Sequence, residues 1–204
     1  MFNPAEYDSW YDRHKEIFDA EIKALKPIVG KYPSPKLEIG VGTGRFAYAL
    51  GIEYGIDPDK NMLEFAKNRG IKVKEGYGEN LPYKSKRFYL VLISTSLPFF
   101  SDARKVIEES YRVLKDEGGI AIGFIPRNSY FGEKYKKMGE KGDERFKNAR
   151  FYTIEEVESL LEDLFFIVRI RSTLLGKDVE EDVVNGYRED ASFVVLEGIK
   201  IQNI

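Results

Sequence analysis

The chain of 204 residues has no cysteine, one histidine (His14), one glutamine (Gln202) and no long apolar run. Without cysteine there can be no disulfide, thiol nucleophile, zinc–cysteine site or iron–sulfur cluster. A lone histidine excludes nearly every multi-histidine centre, so no metal is expected, and any Ser–His–Asp triad would have to use His14. Apolar stretches such as Ile120 to Ile125 fall far short of the roughly 20 residues that cross a bilayer, so membrane insertion is not expected. Met1 to Ala20 is charged throughout and lacks the apolar centre of a signal peptide, which points to a cytoplasmic protein. An excess of one charge is missing too: 32 Lys+Arg against 34 Asp+Glu leave a formal −2, with no global field to draw nucleic acid. The length fits one domain whose core needs no covalent staple.

What is plentiful is charge of both signs. Charged residues make up 32% of the chain, led by Lys and Glu, while glutamine is almost absent. That balance is expected of a thermophile, because desolvating charge costs less at high temperature and amide side chains decay.

Apolar residues Trp10, Tyr11, Ile17, Phe18, Ile22 and Leu25 recur at helical spacing from Tyr7 to Ile28, which predicts one or two amphipathic helices. Pro33 and Pro35 break that pattern, and Leu37 to Val41 reads as a strand entering a glycine turn. The order then predicted is helix 45–50, strand 52–56, helix 59–68, strand 71–73, strand 88–93, helix 102–114 stopped by Gly118-Gly119, and strand 120–125. Such alternation means a parallel sheet with helices on both faces.

A basic, aromatic-studded stretch from Pro126 to Arg150 interrupts the alternation, with eight Lys/Arg against four Asp/Glu. Thr153-x-x-Glu156 then reads as a capping box opening a helix. Two strands, 165–171 and 192–197, close the chain. No crossover helix is evident in their acidic connector, so they are expected to pair antiparallel.

Gly40-Val41-Gly42-Thr43-Gly44 lies where a strand meets a helix N-terminus, a place where missing Cβ atoms let a ligand approach the main chain. Arg45 stands where a dinucleotide motif needs its third glycine, and the Gly-Lys-Ser/Thr of a triphosphate loop is absent. Asp57 follows 19 positions after Glu38, at the end of the second strand. It either caps the next helix or accepts the hydroxyls of a ribose held at the turn.

The segment Leu37-Glu38-Ile39-Gly40-Val41-Gly42-Thr43-Gly44-Arg45-Phe46 resembles the first motif of the class I S-adenosylmethionine-dependent methyltransferases. Further matches to the small-molecule (type 11, ubiquinone/menaquinone-methyltransferase-like) branch are Gly55-Ile56-Asp57-Pro58 through Met62-Leu63, Gly78-Glu79-Asn80-Leu81-Pro82-Tyr83, Tyr111 to Lys115 before Gly118-Gly119, and Phe151-Tyr152-Thr153-x-Glu155-Glu156 before Leu160-Leu161. Together they run over residues 37 to 167 in the family's order.

The resemblance implies an α/β, Rossmann-like three-layer sandwich whose mostly parallel seven-stranded sheet ends in an antiparallel hairpin. It implies S-adenosylmethionine as cofactor, S-adenosylhomocysteine as product and a small-molecule acceptor. Gly40, Gly42 and Gly44 would pack against the methionine part, organised by Glu38, and Asp57 would bind the ribose. Pro58, Met62 and Leu81 would lie beside the adenine, Gly78 and Glu79 at its edge, and Ser94 and Thr95 against the methionine moiety. The chain reads as a single domain of four parts: a helical lid (1–30), a cofactor core (31–125), an acceptor cap (126–150) and a C-terminal helix and hairpin (151–204).

Two departures bear on mechanism. Tyr77 stands where relatives often carry an Asp for the adenine amino group, and Leu97-Pro98 replaces a common Leu-His, removing that histidine base. The catalytic candidates are therefore Tyr7, Tyr11 and His14, with positioning as the main source of rate. A same-fold cofactor sensor and a shortened nicotinamide oxidoreductase are the alternatives. The sequence leaves the oligomeric state open.

Overall fold

A computed structural model describes residues 3–176 and 182–202. Three of the acidic connector's six carboxylates, in residues 177–181, lie outside the described residues. The N-terminal segment forms two helices, α1 (Pro4–Arg13) and α2 (Lys15–Val29), which meet at His14. Asn3 opens α1 by accepting the amides of Ala5 and Glu6. There follow β1 (Lys36–Ile39), α3 (Arg45–Leu50), β2 (Tyr54–Asp57), α4 (Lys60–Asn68), β3 (Lys72–Glu75), β4 (Phe88–Ser94), α5 (Ala103–Val113) and β5 (Leu114–Phe124). The basic stretch contains α6 (Tyr130–Glu140), and the chain ends with α7 (Ile154–Leu161), β6 (Phe165–Leu175), β7 (Val184–Asn185) and β8 (Ala191–Lys200).

The strands form one sheet in the order β3-β2-β1-β4-β5-β8-β6-β7. Strands β1 to β5 pair parallel, and β8 enters antiparallel between β5 and β6. Among the described residues the sheet has eight strands rather than seven, because Val184 and Asn185 in the connector pair with Ser172 and Arg171. Gly118 and Gly119 do not stop α5 as expected. The helix ends at Val113, and β5 runs through both glycines to pair with β4 and β8. Gly119 is needed for packing instead, since a Cβ there would lie 2.1 Å from the Tyr32 hydroxyl.

Alternate residues of each central strand face opposite sides of the sheet, so these strands bury both faces. Leu37, Ile39, Val91, Ile93, Ile120, Ile122, Val194 and Leu196 pack with α5 and α7 residues such as Val106, Val113, Val157 and Leu161. Leu90, Leu92, Ala121, Phe193 and Val195 pack with Leu25, Ile28, Phe46, Ala47 and Leu50 on the other side. Each fully buried aliphatic contributes about 1.5–3 kcal/mol. This three-layer burial holds the carboxyl ends of β1, β2 and β4 at one edge.

The capping box forms as read: Thr153 Oγ1 accepts the Glu156 amide at 3.3 Å, and Glu156 Oε2 accepts the Thr153 amide at 2.8 Å. Thr153→Ala is expected to lower unfolding free energy by about 1 kcal/mol, measured by urea denaturation, with Thr153→Ser close to wild type.

Candidate functional site

Strand β1 delivers a turn in which Gly40, Gly42 and Gly44 all have left-handed backbone, with φ of 72°, 51° and 80°. L-residues with side chains rarely adopt such values. The amides of Gly40 and Val41 donate to the Ile56 carbonyl at 2.8 and 3.0 Å, stapling the turn to β2. A Cβ on Gly40 would lie 2.4 Å from that of Ser96, whereas one on Gly42 would meet no atom within 4 Å. Gly40 is therefore required by packing, and Gly42 borders open space.

Asp57 ends β2 and fastens the turn. Its Oδ2 accepts the Gly42 amide and its Oδ1 the Asp59 amide, both at 2.9 Å. The capping alternative for Asp57 does not hold, because Asp59 caps α4 by accepting the Asn61 amide. Burial pushes the Asp57 carboxyl above the usual carboxylate range, against the pull of the two amides.

Glu38 lies beneath the turn on β1, 1% exposed. Burial raises its carboxyl well above the usual range, and Oε2 has no hydrogen-bond partner. Ser94, at the end of β4, is equally buried with an unpartnered Oγ. Unpaired buried polar atoms cost about 1–3 kcal/mol each, and here two of them lie on neighbouring strands at the ligand edge. Thr95 follows with φ of 57°, and its amide donates to the Gly123 carbonyl.

The other expected site residues divide. Gly78 is wedged against Ile39 and Val106, with no room for a side chain. Glu79 Oε1 accepts the Ser101 amide at 2.9 Å, tying its loop to the start of α5. Leu81 packs in the apolar cluster of α5, whereas Met62 is buried without joining either cluster. Pro58 is exposed. Tyr77 is 66% exposed, so it does not fill the place of the missing Asp as a buried group.

Of the catalytic candidates, Tyr7 and Tyr11 pack edge to face with ring centroids 5.2 Å apart, and burial raises both hydroxyls. His14 is engaged elsewhere, its Nδ1 2.8 Å from the Trp10 carbonyl and its ring stacked on Trp10 at 4.3 Å. An ion-pair clamp holds α1 above the turn. Asp8 accepts from Arg45 Nε at 2.9 Å and from Arg69 at 2.6 Å, and Arg69 also donates to the Thr43 carbonyl at 2.7 Å. Although burial opposes it, these guanidinium bonds hold the Asp8 carboxyl below its ordinary value.

Sequence reasoning missed Glu21. It sits on the buried stripe of α2 with Ile17, Ala24, Leu25 and Ile28, 3% exposed. An acid at an apolar-stripe position was the available signal. Burial alone raises its carboxyl from 4.5 to about 8. Two surface depressions, along Ile167–Ile170 with Asn185 and between α4 and β3, include neither Glu21 nor the glycine turn.

Known proteins agree with this geometry. A methyltransferase-domain family profile matches residues 37–122. A structure from Thermotoga maritima, described as a SAM-dependent methyltransferase and possible histamine N-methyltransferase, is 36% identical, covers 96% of this chain and 94% of its own, and superposes with a TM-score of 0.87. A protein of Methanocaldococcus jannaschii is 40% identical over 200 residues, 96% of each chain. The demethylmenaquinone methyltransferase of Lactobacillus johnsonii is 35% identical over 115 residues, covering 49% of this chain and 46% of its own. The chain belongs to the class I S-adenosylmethionine-dependent methyltransferases, a family of enzymes with this Rossmann-like fold.

Glu21 sets a pH dependence of stability. Between its ordinary 4.5 and about 8 the unfolded chain releases a proton that the folded chain keeps, so its contribution falls as pH rises. Glu21→Gln removes that loss. Urea unfolding of both proteins should show the variant gaining at least about 2 kcal/mol on wild type between pH 5 and pH 8. An unchanged difference between the two pH values would refute the shift.

Proposed function

We propose that the chain transfers a methyl group from S-adenosylmethionine to a small-molecule acceptor by in-line displacement, releasing S-adenosylhomocysteine. The observation that carries this reading is one sheet edge that unites the left-handed glycine turn, open space over Gly42, and the Asp57 carboxylate. The unpartnered Glu38 Oε2 and Ser94 Oγ fit a polar ligand at the same edge.

Gly40, Gly42 and Gly44 receive the methionine part, with Glu38 beneath them and Ser94 and Thr95 alongside. Asp57 uses its remaining lone pairs for the ribose hydroxyls. Pro58, Met62, Gly78, Glu79 and Leu81 surround the adenine. When bound, the cofactor supplies a methyl group already activated on a sulfonium. The protein's task is then to hold the acceptor aligned and exclude water, which can supply several kcal/mol of the barrier reduction. Helices α1 and α2 serve as lid and residues 126–150 as acceptor cap. Tyr7 is a better candidate than His14 to touch a reacting group, since the His14 ring is engaged by Trp10. Nitrogen acceptors belong in the acceptor screen, since the Thermotoga relative is described as a possible histamine N-methyltransferase.

Calorimetric titration with S-adenosylhomocysteine tests the reading, and absence of binding would overturn it. Asp57→Ala should weaken binding by about 1–3 kcal/mol, because it strips the ribose of its acceptor. Gly42→Ala should cost only about 1 kcal/mol of stability for its left-handed backbone, yet weaken cofactor binding at least tenfold by filling the open space. Equal losses in stability and binding would make Gly42 merely structural.

A further inference from the structure

We infer that the free length of β6 is a homodimer interface, where two copies of this chain lay their β6 strands side by side, antiparallel, about a twofold axis at Ile167. The inference is independent of the methyltransferase reading, because β8, β5 and β4 separate β6 from the strand that carries the glycine turn.

The edge of the sheet is open here. Strand β7 pairs only with Arg171 and Ser172, so among the described residues Phe165 to Ile170 meet no strand on the side away from β8. An unpaired edge of that length, about 20 Å, is a template for strand addition. A depression lies along it, lined by Ile167, Val168, Arg169 and Ile170, with Asn185 and Gly186 where β7 ends.

The face beside this edge is apolar and bare. Phe166 is 62% exposed and Val168 49%, and Ile199, the register partner of Phe166 on β8, is 41% exposed. Phe165, Ile167 and Ile170 turn the other way, into the core cluster of α5 and α7. The bulge between Ile167 and Arg169 therefore leaves Val168 and Arg169 on the same face as Phe166. A contiguous apolar patch along an unpaired strand marks a contact surface.

Charge selects a second copy as the occupant. Two exposed acids, Glu162 and Asp163, stand just before β6, and Arg169 and Arg171 lie farther along it. Antiparallel pairing about Ile167 sets Phe166 of each copy opposite Val168 of the other and carries each Asp163 to the register of the other copy's Arg171. Because β7 already covers Arg171, the acid arrives at the depression beside Asn185 and Arg169. Arg169 has donors to offer it: its contact with Glu197 is 3.5 Å, Lys31 holds that carboxylate at 2.8 Å, and a guanidinium carries five N–H groups. Opposite charges then meet at both ends of the interface. Parallel pairing would align arginine with arginine and acid with acid. A twofold axis also closes the assembly, leaving neither copy's patch bare.

The test is sedimentation equilibrium of the full chain at micromolar concentration, where wild type is expected at twice the chain mass. Phe166→Lys and Val168→Lys bring like charges together at the axis, and each should return the mass to that of one chain with its circular dichroism unchanged. Asp163→Lys should weaken the dimer about tenfold or more. Because the chain has no cysteine, Val168→Cys supplies a single thiol near the axis, and a short bifunctional maleimide should join two copies through it. Tyr48→Cys, at a 67% exposed position on α3, should stay unjoined. A monomeric wild type would leave this surface to a different partner and overturn the inference. A dimer that survives both lysine substitutions, or that joins through Tyr48→Cys and not Val168→Cys, would overturn it as well. An Asp163→Lys dimer as tight as wild type would overturn the antiparallel arrangement.

Discussion

The Asp57 carboxylate is the constraint on which the site depends. By accepting the amides of Gly42 and Asp59 it joins the end of β2 to a turn whose backbone is otherwise costly to hold. Three successive left-handed glycines have no intrinsic reason to stay in one arrangement, because glycine loses more conformational freedom on folding than any other residue. Two backbone hydrogen bonds accepted by one carboxylate, together with those accepted by the Ile56 carbonyl, supply that reason. The same carboxylate keeps lone pairs toward the ligand edge, so the group that builds the turn is also the one that would read a ribose.

Around this joint the other polar interactions sort by what they secure. Asp8 clamps α1 to Arg45 and Arg69, the residues that follow the turn and close α4. Its partners are less than a quarter exposed, so the clamp is screened less than a surface pair and orients the helix bearing Tyr7 and Tyr11. Glu197 does similar work on β8, where it is buried between Lys31, Tyr32 and Arg169. Glu21 and Glu38 differ from both, since each keeps an unpartnered oxygen.

Much of the architecture was legible before any coordinates. The helices at 45–50 and 60–68 and the capping box at Thr153 appear where patterning put them, because glycine, proline and capping residues act over a few positions. Where reading failed, pairing decided. Gly118-Gly119 looked like a helix stop, yet β5 extends through both, since hydrogen bonds to β4 and β8 outweigh the local preference of glycine. β7 escaped notice because two residues carry no period, and only the partner strand β6 makes them a strand.

The candidate site divides in the same way. The sequence by itself determined the glycine turn, the acid that follows it and the order of the sheet-forming segments, because those depend on backbone conformation and on spacing along one chain. Only the tertiary structure decided that Asp8 clamps α1 to Arg45 and Arg69, and that Glu21 stands buried with an unpartnered oxygen. Whether a buried charge is compensated depends on which distant side chains the fold brings beside it, and no local pattern of residues carries that information.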